Sequence, residues 1–319
     1  MTERTVAAEA SVTSRPALSV VIVSFTSRDV LRDCLSSLAV ERDEVALEVI
    51  VVDNASRDGT VGMIRQEFSW VNLIENDRNV GFAVAANQAL RSARGRLLLL
   101  LNPDTVVPRG TLTQAMQRLE RDPAAGVLGC RLVRPDGTFD HAAKRGFPTV
   151  MTAFYYFLGL SRLAPRSRRF AHYTAGHLRE DEEGYVDAVN GAFMLVKRRA
   201  YEDVGVLDEQ FWLYGEDLDW CKRFGRHGWK ILYWPEVSVT HVKGASSGTH
   251  RRWELHRAFH HSIWLYYRKH HAPNDPRIVR ALVFVGVWTK FAFSVLSTEL
   301  RRAASAVERR RSPAPHADP

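Results

Sequence analysis

The sequence has few cysteines and no apolar run near its N-terminus. Its three cysteines, Cys34, Cys130 and Cys221, are far apart and odd in number, which argues against a disulfide framework or a zinc cluster and is typical of a reducing compartment. Residues 1–16 mix charged and small residues, so we expect a disordered leader rather than a signal peptide. With 319 residues, 45% hydrophobic and 25% charged, the rest has the composition of a globular protein.

Glycine is also missing where a dinucleotide-binding protein needs it. Such a protein places Gly-x-Gly-x-x-Gly directly after its first strand, so that the pyrophosphate reaches the N-terminus of a helix. Here the first apolar run is followed by Ser24-Phe25-Thr26-Ser27-Arg28-Asp29. This sequence argues against a dehydrogenase.

Short β-branched or leucine-rich runs alternate with segments of helical periodicity over the first hundred residues. Such alternation predicts an α/β fold, with a doubly wound, mainly parallel sheet flanked by helices. The predicted strands are residues 18–23, 47–52, 71–75 and 97–101, and the predicted helices are residues 28–38, 61–68 and 82–93.

Two of these strands end in an acid. Five leucines at residues 97–101 stop at Asn102-Pro103-Asp104, and the run at residues 47–52 stops at Asp53. In an open α/β sheet, ligands bind outside the carboxyl ends of the strands. Two carboxylates at that edge indicate a site for a nucleotide and a metal.

Between residues 18 and 248, five short motifs follow one another along the chain, at residues 18–25, 51–60, 79–83, 101–104 and 215–220. Together they resemble family 2 glycosyltransferases, and most closely the bacterial rhamnosyltransferase type. The resemblance implies a GT-A fold and transfer of a sugar, with inversion, from a nucleotide diphosphate donor with the help of a divalent metal. We expect a GT-A domain at residues 17–249, a basic amphipathic helical segment at residues 250–302 and a disordered tail at residues 303–319.

Donor-binding candidates follow from these motifs. Asp53 matches the family's base-binding acid, because a carboxylate at a strand end can accept the imide N–H of a nucleobase. A loop before a helix can present backbone N–H groups and a guanidinium to phosphate or ribose, although a plain turn is an open alternative for Arg78. The donor-binding candidates are Ser24, Asp53, Arg78, Asn79, Gly81, Asn102, Asp104 and Lys243.

The metal motif of the family is Asp-x-Asp, and this chain departs from it with Asn102-Pro103-Asp104. Asp104 is then the chief acidic ligand, and His241 resembles the family's histidine after the last core strand. One carboxylate and one further protein group suffice when phosphate and water complete the shell. We expect Mn²⁺ or Mg²⁺, with a purely structural His241 as the alternative.

Three acids, Glu216, Asp217 and Asp219, follow an aromatic turn that contains Trp212. Acids in the first turn of a helix are favoured by its dipole, so capping alone explains part of the cluster. Inverting transfer also needs a carboxylate that takes the proton of the acceptor hydroxyl, and the family's base maps to Asp217. Glu216 is expected to hold the acceptor or orient Asp217, and Asp219 to face a basic neighbour.

Acceptor-side candidates are Asn190, Gly191 and Trp212. Residues 154–158, which are aromatic-rich, precede several arginines and would suit a lipid diphosphate acceptor at a membrane surface, although an ordinary covering loop is an equal alternative.

The C-terminal segment carries the whole net charge. Residues 250–319 hold 13 Lys and Arg against 5 Asp and Glu, a balance of +8. Residues 281–296 are too apolar for a nucleic-acid arm and short for a membrane span, which needs about 20 apolar residues. We expect a helix lying on the anionic inner face of the plasma membrane, with a helix packed on the domain as the alternative.

Together with the C-terminal charge pattern, the resemblance implies a cytoplasmic, peripheral transferase whose partners are a nucleotide diphosphate sugar and a lipid-linked or cell-surface glycan, without nucleic acid. Rhamnose from a dTDP donor is favoured by the resemblance alone. A UDP-sugar-dependent transferase and a non-catalytic nucleotide-sugar-binding scaffold are the alternatives. The sequence gives no oligomeric state.

Overall fold

The computed structural model describes residues 15–157, 159–242 and 252–311. The strands are β1 (Leu18–Ser24), β2 (Leu47–Asp53), β3 (Asn72–Glu75), β4 (Leu97–Leu101), β5 (Thr105–Val106), β6 (Ala125–Val133), β7 (Lys144–Arg145), β8 (Gly184–Val186), β9 (Ala188–Val189), β10 (Phe193–Lys197) and β11 (Lys230–His241). The helices are α1 (Arg28–Glu41), α2 (Thr60–Glu67), α3 (Phe82–Ser92), α4 (Thr111–Arg121), α5 (Val150–Phe157), α6 (Leu160–Leu163), α7 (Arg198–Val204), α8 (Glu216–Arg226), α9 (Arg252–His270) and α10 (Arg277–Arg311).

A mixed, mainly parallel sheet forms the centre of the fold. Its strand order is β3-β2-β1-β4-β10-β6-β11-β5, and β8 pairs with β11. Strands β1 to β4 run parallel, as do β6 and β11, whereas β10 is antiparallel to β4 and β6. All residues of β1 and β4 are buried, as expected for parallel strands covered on both faces. The predicted fold class is confirmed.

The sheet register sets the position of the site. Ser24 lies opposite Asp53 at the carboxyl ends of β1 and β2, and β4 ends beside them because Ile22 pairs with Leu101. The antiparallel pairing of β5 with β11 places His241 opposite Thr105, and so next to Asp104 in space. The strand ends therefore gather residues from distant parts of the chain at one edge.

Helix α9 packs on this domain. Leu265 and Tyr266 belong to the same hydrophobic core as the sheet, and the Ser262 hydroxyl donates a hydrogen bond to the carbonyl of Leu213 at 2.8 Å. Helix α9 therefore holds the loop that precedes α8.

Helix α10 is different, because it lies against α9 and leaves its other faces exposed. Phe291 contacts the ring of Trp253 at a centroid distance of 5.3 Å, and Phe284 contacts Trp264 at 5.2 Å. By its length and composition, the segment Arg277–Glu299 of this helix could cross a membrane. No residue in the most apolar stretch of that segment is buried in the protein. The expectation that this segment is too short for a span is thus wrong, because the helix is longer than residues 281–296. The helix also continues to Arg311, past residue 302, where the sequence analysis began a disordered tail.

Candidate active site

Asp53 is the last residue of β2, and its two carboxylate oxygens have different surroundings. The residue is 2% exposed, and its Oδ2 accepts the N–H of Ser56 at 2.8 Å. Its Oδ1 is buried without a hydrogen-bond partner among the described residues. Because a buried acceptor without a partner is costly, Asp53 fits the binding of a nucleobase N–H. The hydroxyl of Ser24 lies 2.9 Å from that of Ser27, so Ser24 supports the adjacent turn.

The loop before α3 joins the predicted donor side to Trp212. Asn79 Oδ1 accepts the N–H of Gly81 at 2.9 Å, and the N–H of Phe82 donates to the carbonyl of Trp212 at 2.7 Å. Gly81 has φ +90°, and a Cβ there would lie 2.5 Å from Trp212 Cδ1. Asn79 and Gly81 therefore shape this loop contact, while Arg78 is exposed.

Replacing Gly81 by alanine should destabilise the protein by about 2–4 kcal/mol, since the Cβ is strained at positive φ and overlaps the indole ring. Urea unfolding measures the loss. Gly62, inside α2, is the matched control, because a Cβ there meets nothing within 4 Å and alanine favours a helix. Equal stability of Gly81→Ala and Gly62→Ala would contradict the tight contact with Trp212.

Asn102, Asp104 and His241 meet at the ends of β4 and β11. His241 Nε2 lies 3.3 Å from Asp104 Oδ1 and 3.4 Å from Asn102 Nδ2, and Asp104 and His241 are both buried. Burial lowers the pKa of His241, but the neighbouring carboxylates of Asp104 and Asp140 outweigh this effect and raise the pKa to about 9.

This donor set fits a hard cation that keeps other ligands. It offers one carboxylate, one imidazole and one amide, and among the described residues no group of three or more His, Cys, Asp or Glu is arranged to hold a metal. Mn²⁺ and Mg²⁺ complete their shells with water and substrate phosphate, and an imidazole ligand suits Mn²⁺. Asn102, Asp104 and His241 are thus suited to a phosphate-bound metal.

Asp140 is a site residue that the sequence analysis missed. Its Oδ2 lies 3.4 Å from His241 Nδ1, and it is 1% exposed. A carboxylate on the second ring nitrogen fixes the orientation of a metal-binding histidine. Asp140 lies in a loop after β6 without a strand-end pattern, so only the three-dimensional structure reveals it.

Asp217 lies in the first turn of α8, held by partners from other segments. Its Oδ2 is bound by the guanidinium of Arg145 and accepts the N–H of Gly191 at 3.2 Å. Arg145, in β7, is a second residue that the sequence analysis missed, since nothing in its pattern indicates a partner 72 positions away. These contacts hold the Asp217 carboxylate in one orientation.

Glu216 is nearly as buried as Asp217, but its Oε2 has no hydrogen-bond partner within the described part of the chain. Burial, together with the adjacent charge of Asp217, raises the pKa of Glu216. The two neighbouring carboxyl groups therefore differ, because a guanidinium binds Asp217 whereas Oε2 of Glu216 has no partner among the described residues.

Asp219 anchors α9 to α8, and its predicted basic neighbour is confirmed. Its carboxylate accepts hydrogen bonds from Arg223 at 2.8 Å, and lies 2.7 Å from both Lys269 Nζ and His270 Nε2. Burial opposes ionisation, but the bonds to His270 and Lys269 outweigh it and lower the pKa of Asp219 to about 2.

Asp219→Asn should lower the free energy of unfolding by about 2–4 kcal/mol at pH 7, since it removes the buried carboxylate that Arg223, Lys269 and His270 share. The folded pKa of Asp219 lies below the unfolded value of about 3.9, so this stability is present above pH 4 and is lost as the pH falls towards 2. Urea unfolding of both proteins from pH 7 to pH 2 should show the difference shrinking over that window. Asp29→Asn is the control, because the Asp29 side chain is 87% exposed. A difference independent of pH would contradict the ionic role of Asp219.

The turn at residues 190–192 joins the two halves of the site. Asn190 Oδ1 accepts the N–H of Ala192 at 2.8 Å, the N–H of Asn102 donates to the carbonyl of Ala192 at 3.2 Å, and Gly191 binds Asp217. The predicted metal and acceptor sides are therefore adjacent. Trp212 is 38% exposed, and Lys243 lies outside the described residues.

A model for "Glycosyltransferase like family 2" matches residues 16–257. The chain belongs to glycosyltransferase family 2. This glycosyltransferase is 29% identical over 268 residues to the N-acetylglucosaminyl-diphospho-decaprenol L-rhamnosyltransferase of Mycobacterium tuberculosis, which covers 80% of this chain and 85% of the relative. It is 30% identical over 237 residues to the O-antigen biosynthesis protein RfbC of Myxococcus xanthus, covering 71% of this chain and 17% of that protein.

Solved structures give the same fold. One similar structure is a mannosyltransferase from Pyrobaculum calidifontis in complex with GDP-Man and Mn²⁺. The superposition covers 95% of this glycosyltransferase and 78% of the mannosyltransferase chain, with a TM-score of 0.55 and 20% identity. TarS 1-349 of S. aureus in complex with UDP-GlcNAc matches 85% of this chain and 71% of its own, with a TM-score of 0.51 and 17% identity. These similarities support the GT-A fold of the chain.

Proposed function

We propose that this protein is a metal-dependent inverting glycosyltransferase that transfers rhamnose from a dTDP donor to a lipid-linked glycan on the cytoplasmic face of the plasma membrane. The observation that carries the proposal is the turn at residues 190–192, which links Asn102 on the donor side to Asp217 on the acceptor side. A carboxylate close to a nucleotide-sugar site is what sugar transfer to a hydroxyl requires, because a base must take the proton of that hydroxyl.

The donor is held at the strand ends. The unpartnered Oδ1 of Asp53 accepts the imide N–H of thymine or uracil, and Asn102, Asp104 and His241 hold the metal beside the diphosphate. When bound, the metal neutralises the charge that develops on the leaving nucleoside diphosphate. Asp140 keeps the His241 ring oriented, and Lys243 and Arg78 are proposed for further phosphate contacts.

The acceptor hydroxyl is deprotonated by Asp217 as it attacks the anomeric carbon opposite the leaving diphosphate. Arg145 and the N–H of Gly191 bind one carboxylate oxygen, and the N–H of Leu218 donates to the other at 2.7 Å, so the acceptor hydroxyl shares one of these oxygens with a donor already present. Glu216, kept neutral over a wider pH range by its raised pKa, has a free oxygen to hold the acceptor sugar. Asn190 and Trp212 lie on this acceptor side.

The nature of the sugar and the acceptor is supported by the mycobacterial relative, whose name describes rhamnosyl transfer to an N-acetylglucosaminyl-diphospho-decaprenol. Incubation of the purified protein with Mn²⁺, a prenyl-diphosphate-linked N-acetylglucosamine and either dTDP-rhamnose or UDP-sugars tests this directly. We expect lipid-linked product when the donor is dTDP-rhamnose and none when the donor is a UDP-sugar. Product from a UDP-sugar instead would make the chain a UDP-dependent transferase, and donor binding without product would favour the non-catalytic scaffold.

The exposed side of α10 supports the membrane location. Ile278, Leu282, Val285, Phe293 and Leu296 are between 58% and 71% exposed and recur at helical spacing. An exposed apolar stripe of this size marks a membrane or protein interface, and Arg277 and Arg280 at the start of the helix suit anionic headgroups. Because the aromatic face of α10 packs on α9 and Lys290 lies in the middle of the apolar stretch, we propose that the helix lies along the membrane surface.

Leu282→Glu should weaken binding to phosphatidylglycerol vesicles at least tenfold, since burial of one leucine side chain contributes about 1.5–3 kcal/mol. Vesicle co-sedimentation of the full-length protein measures it. The matched control is Val40→Glu on α1, also an exposed apolar residue, which should bind as the wild type does. Equal binding by all three proteins would remove α10 from the membrane contact.

A further inference from the structure

A cavity of about 260 Å³ is lined by Arg145, the partner of Asp217, and by other basic groups. Arg145, Arg168, His172 and His177 line it, with Asp187 as its acid. The guanidinium of Arg145 that binds Asp217 also forms part of the cavity wall. The cavity and the catalytic carboxylate are therefore joined by one side chain.

The carboxylates at this cavity already have partners within the protein. Asp187 Oδ2 lies 3.0 Å from His172 Nε2 and accepts the N–H of Phe147 at 2.8 Å, and Asp217 is engaged by Arg145. By contrast, Arg168 is exposed and has no acidic partner within ion-pair distance in the described ranges. The Nε–H of Arg145 is buried without an acceptor among those same residues.

Lys144 adds a positive charge directly behind the cavity. It is 4% exposed, and its ammonium donates to the carbonyls of Ala175 at 3.0 Å and Leu178 at 2.6 Å. Burial, followed by repulsion from Arg168, Lys144 and His172, lowers the pKa of His177. Lys144 and Arg168 thus place two cationic groups at the cavity, and neither has an acidic side chain within ion-pair distance among the described residues.

A second cavity, of about 470 Å³, has basic groups of a different kind. It lies at the opposite ends of the strands, beside Leu97 and Lys197. Its Arg96 is paired with Glu120, Lys197 donates to the carbonyl of Asp122, and Arg198 donates to the carbonyls of Gly95 and Ala93. These three basic groups are engaged by the protein, whereas Arg168 of the smaller cavity has no acidic partner among the described residues.

Apolar surface adjoins the basic cavity. Helix α5 begins at Val150, shortly after the cavity residue Gly146, and Met151 and Leu163 are 51% and 81% exposed. The C-terminal part of α9 lies close to the same segment, because Lys222 lies over the rings of both Phe147 and Tyr266. An anionic group in the cavity would thus have apolar surface beside it for an attached chain.

We propose that this cavity binds the diphosphate group of a prenyl-diphosphate-linked acceptor, and so places the hydroxyl of its sugar at Asp217. The inference rests on the proposed function, whose lipid-linked acceptor it makes more specific. Guanidinium groups bind phosphate oxygens through paired hydrogen bonds. The cavity is smaller than pockets for drug-sized ligands, which suits a headgroup whose lipid chain stays outside.

Isothermal titration of the full-length protein with geranyl diphosphate tests the proposal. Saturating dTDP keeps the probe out of the donor site, and its own binding is recorded in the same titrations. Arg168→Gln should weaken the affinity for geranyl diphosphate about tenfold, the effect of losing one charge-assisted hydrogen bond. Arg166→Gln, an exposed arginine of the same segment outside the cavity, should bind as the wild type does.

Two further probes separate the sources of phosphate. Inorganic pyrophosphate should show the same dependence on Arg168, whereas binding to phosphatidylglycerol vesicles should not. Unchanged affinity of Arg168→Gln for geranyl diphosphate, an equal loss in Arg166→Gln, or a loss seen with vesicles alone would each overturn the proposal. Failure of the wild type to bind dTDP or UDP would instead remove the proposed function, and the titration with geranyl diphosphate alone would still report on the cavity.

Discussion

Asp217→Asn should lower kcat for glycosyl transfer about 10²–10⁴-fold, the contribution expected from a general base. The amide has nearly the same shape but cannot take the proton of the acceptor hydroxyl. Donor KM should stay within about twofold, because Asp217 lies on the acceptor side of the turn at residues 190–192. Initial rates with varied donor and acceptor measure both constants.

Glu216→Gln is the matched control. Since the pKa of Glu216 is raised, the neutral glutamine resembles the protonated form of the side chain, and we expect less than a tenfold loss of kcat at neutral pH. Circular dichroism and thermal unfolding show whether each variant is folded, because the loss of Asp217's charge leaves Arg145 without its partner. An inactive Glu216→Gln beside an active Asp217→Asn would assign the base to Glu216.

Asp104→Asn should abolish the metal dependence of donor binding. Asp104 supplies the single carboxylate of the proposed Asn102, Asp104 and His241 set, so its removal takes away the charge that a divalent cation needs most. We expect the affinity for dTDP in the presence of Mn²⁺ to fall at least 10²-fold, to the level seen in EDTA. Isothermal titration with and without Mn²⁺ measures it.

Graded variants of the same cluster sharpen that result. Asp140→Asn should weaken Mn²⁺-dependent binding about 10–100-fold, as is usual for a carboxylate behind a metal-binding histidine. Glu44→Gln, a partly exposed acid paired with Arg109, should leave binding unchanged. If Asp104→Asn binds dTDP as tightly as the wild type and still responds to Mn²⁺, the metal lies elsewhere.

The fold could be predicted because its signal is local. Leucine runs and helical periodicities locate β1, β4 and α3 to within one residue and place the start of α1 correctly, although α1 ends three residues later than predicted. The carboxyl-end rule places Asp53 and Asp104 at one edge. The structure confirms that fold class. The length of helix α10 was harder to predict. An exposed helix can extend into its polar flanks, whereas the sequence pattern marks only its apolar stretch.

The parts of the site that could not be predicted depend on contacts between distant residues. Asp140 and Arg145 belong to the stretch between β6 and β8, where no strand-end pattern occurs, and each acts on a residue far along the chain. Gly81 was assigned to the donor by its motif, but its contact is with Trp212, which only the packed structure brings near. The partners of Asp219 were hidden in the same way, since Lys269 and His270 count only as part of a basic tail in the sequence.

The anomeric configuration of the transferred sugar tests the central claim most directly. Nuclear magnetic resonance of the product formed from dTDP-rhamnose and a prenyl-diphosphate-linked N-acetylglucosamine would report it. A single displacement assisted by Asp217 predicts a linkage inverted relative to the donor, formed by the wild type and reduced at least 10²-fold in Asp217→Asn. A product with retained configuration, or undiminished formation by the variant, would contradict it.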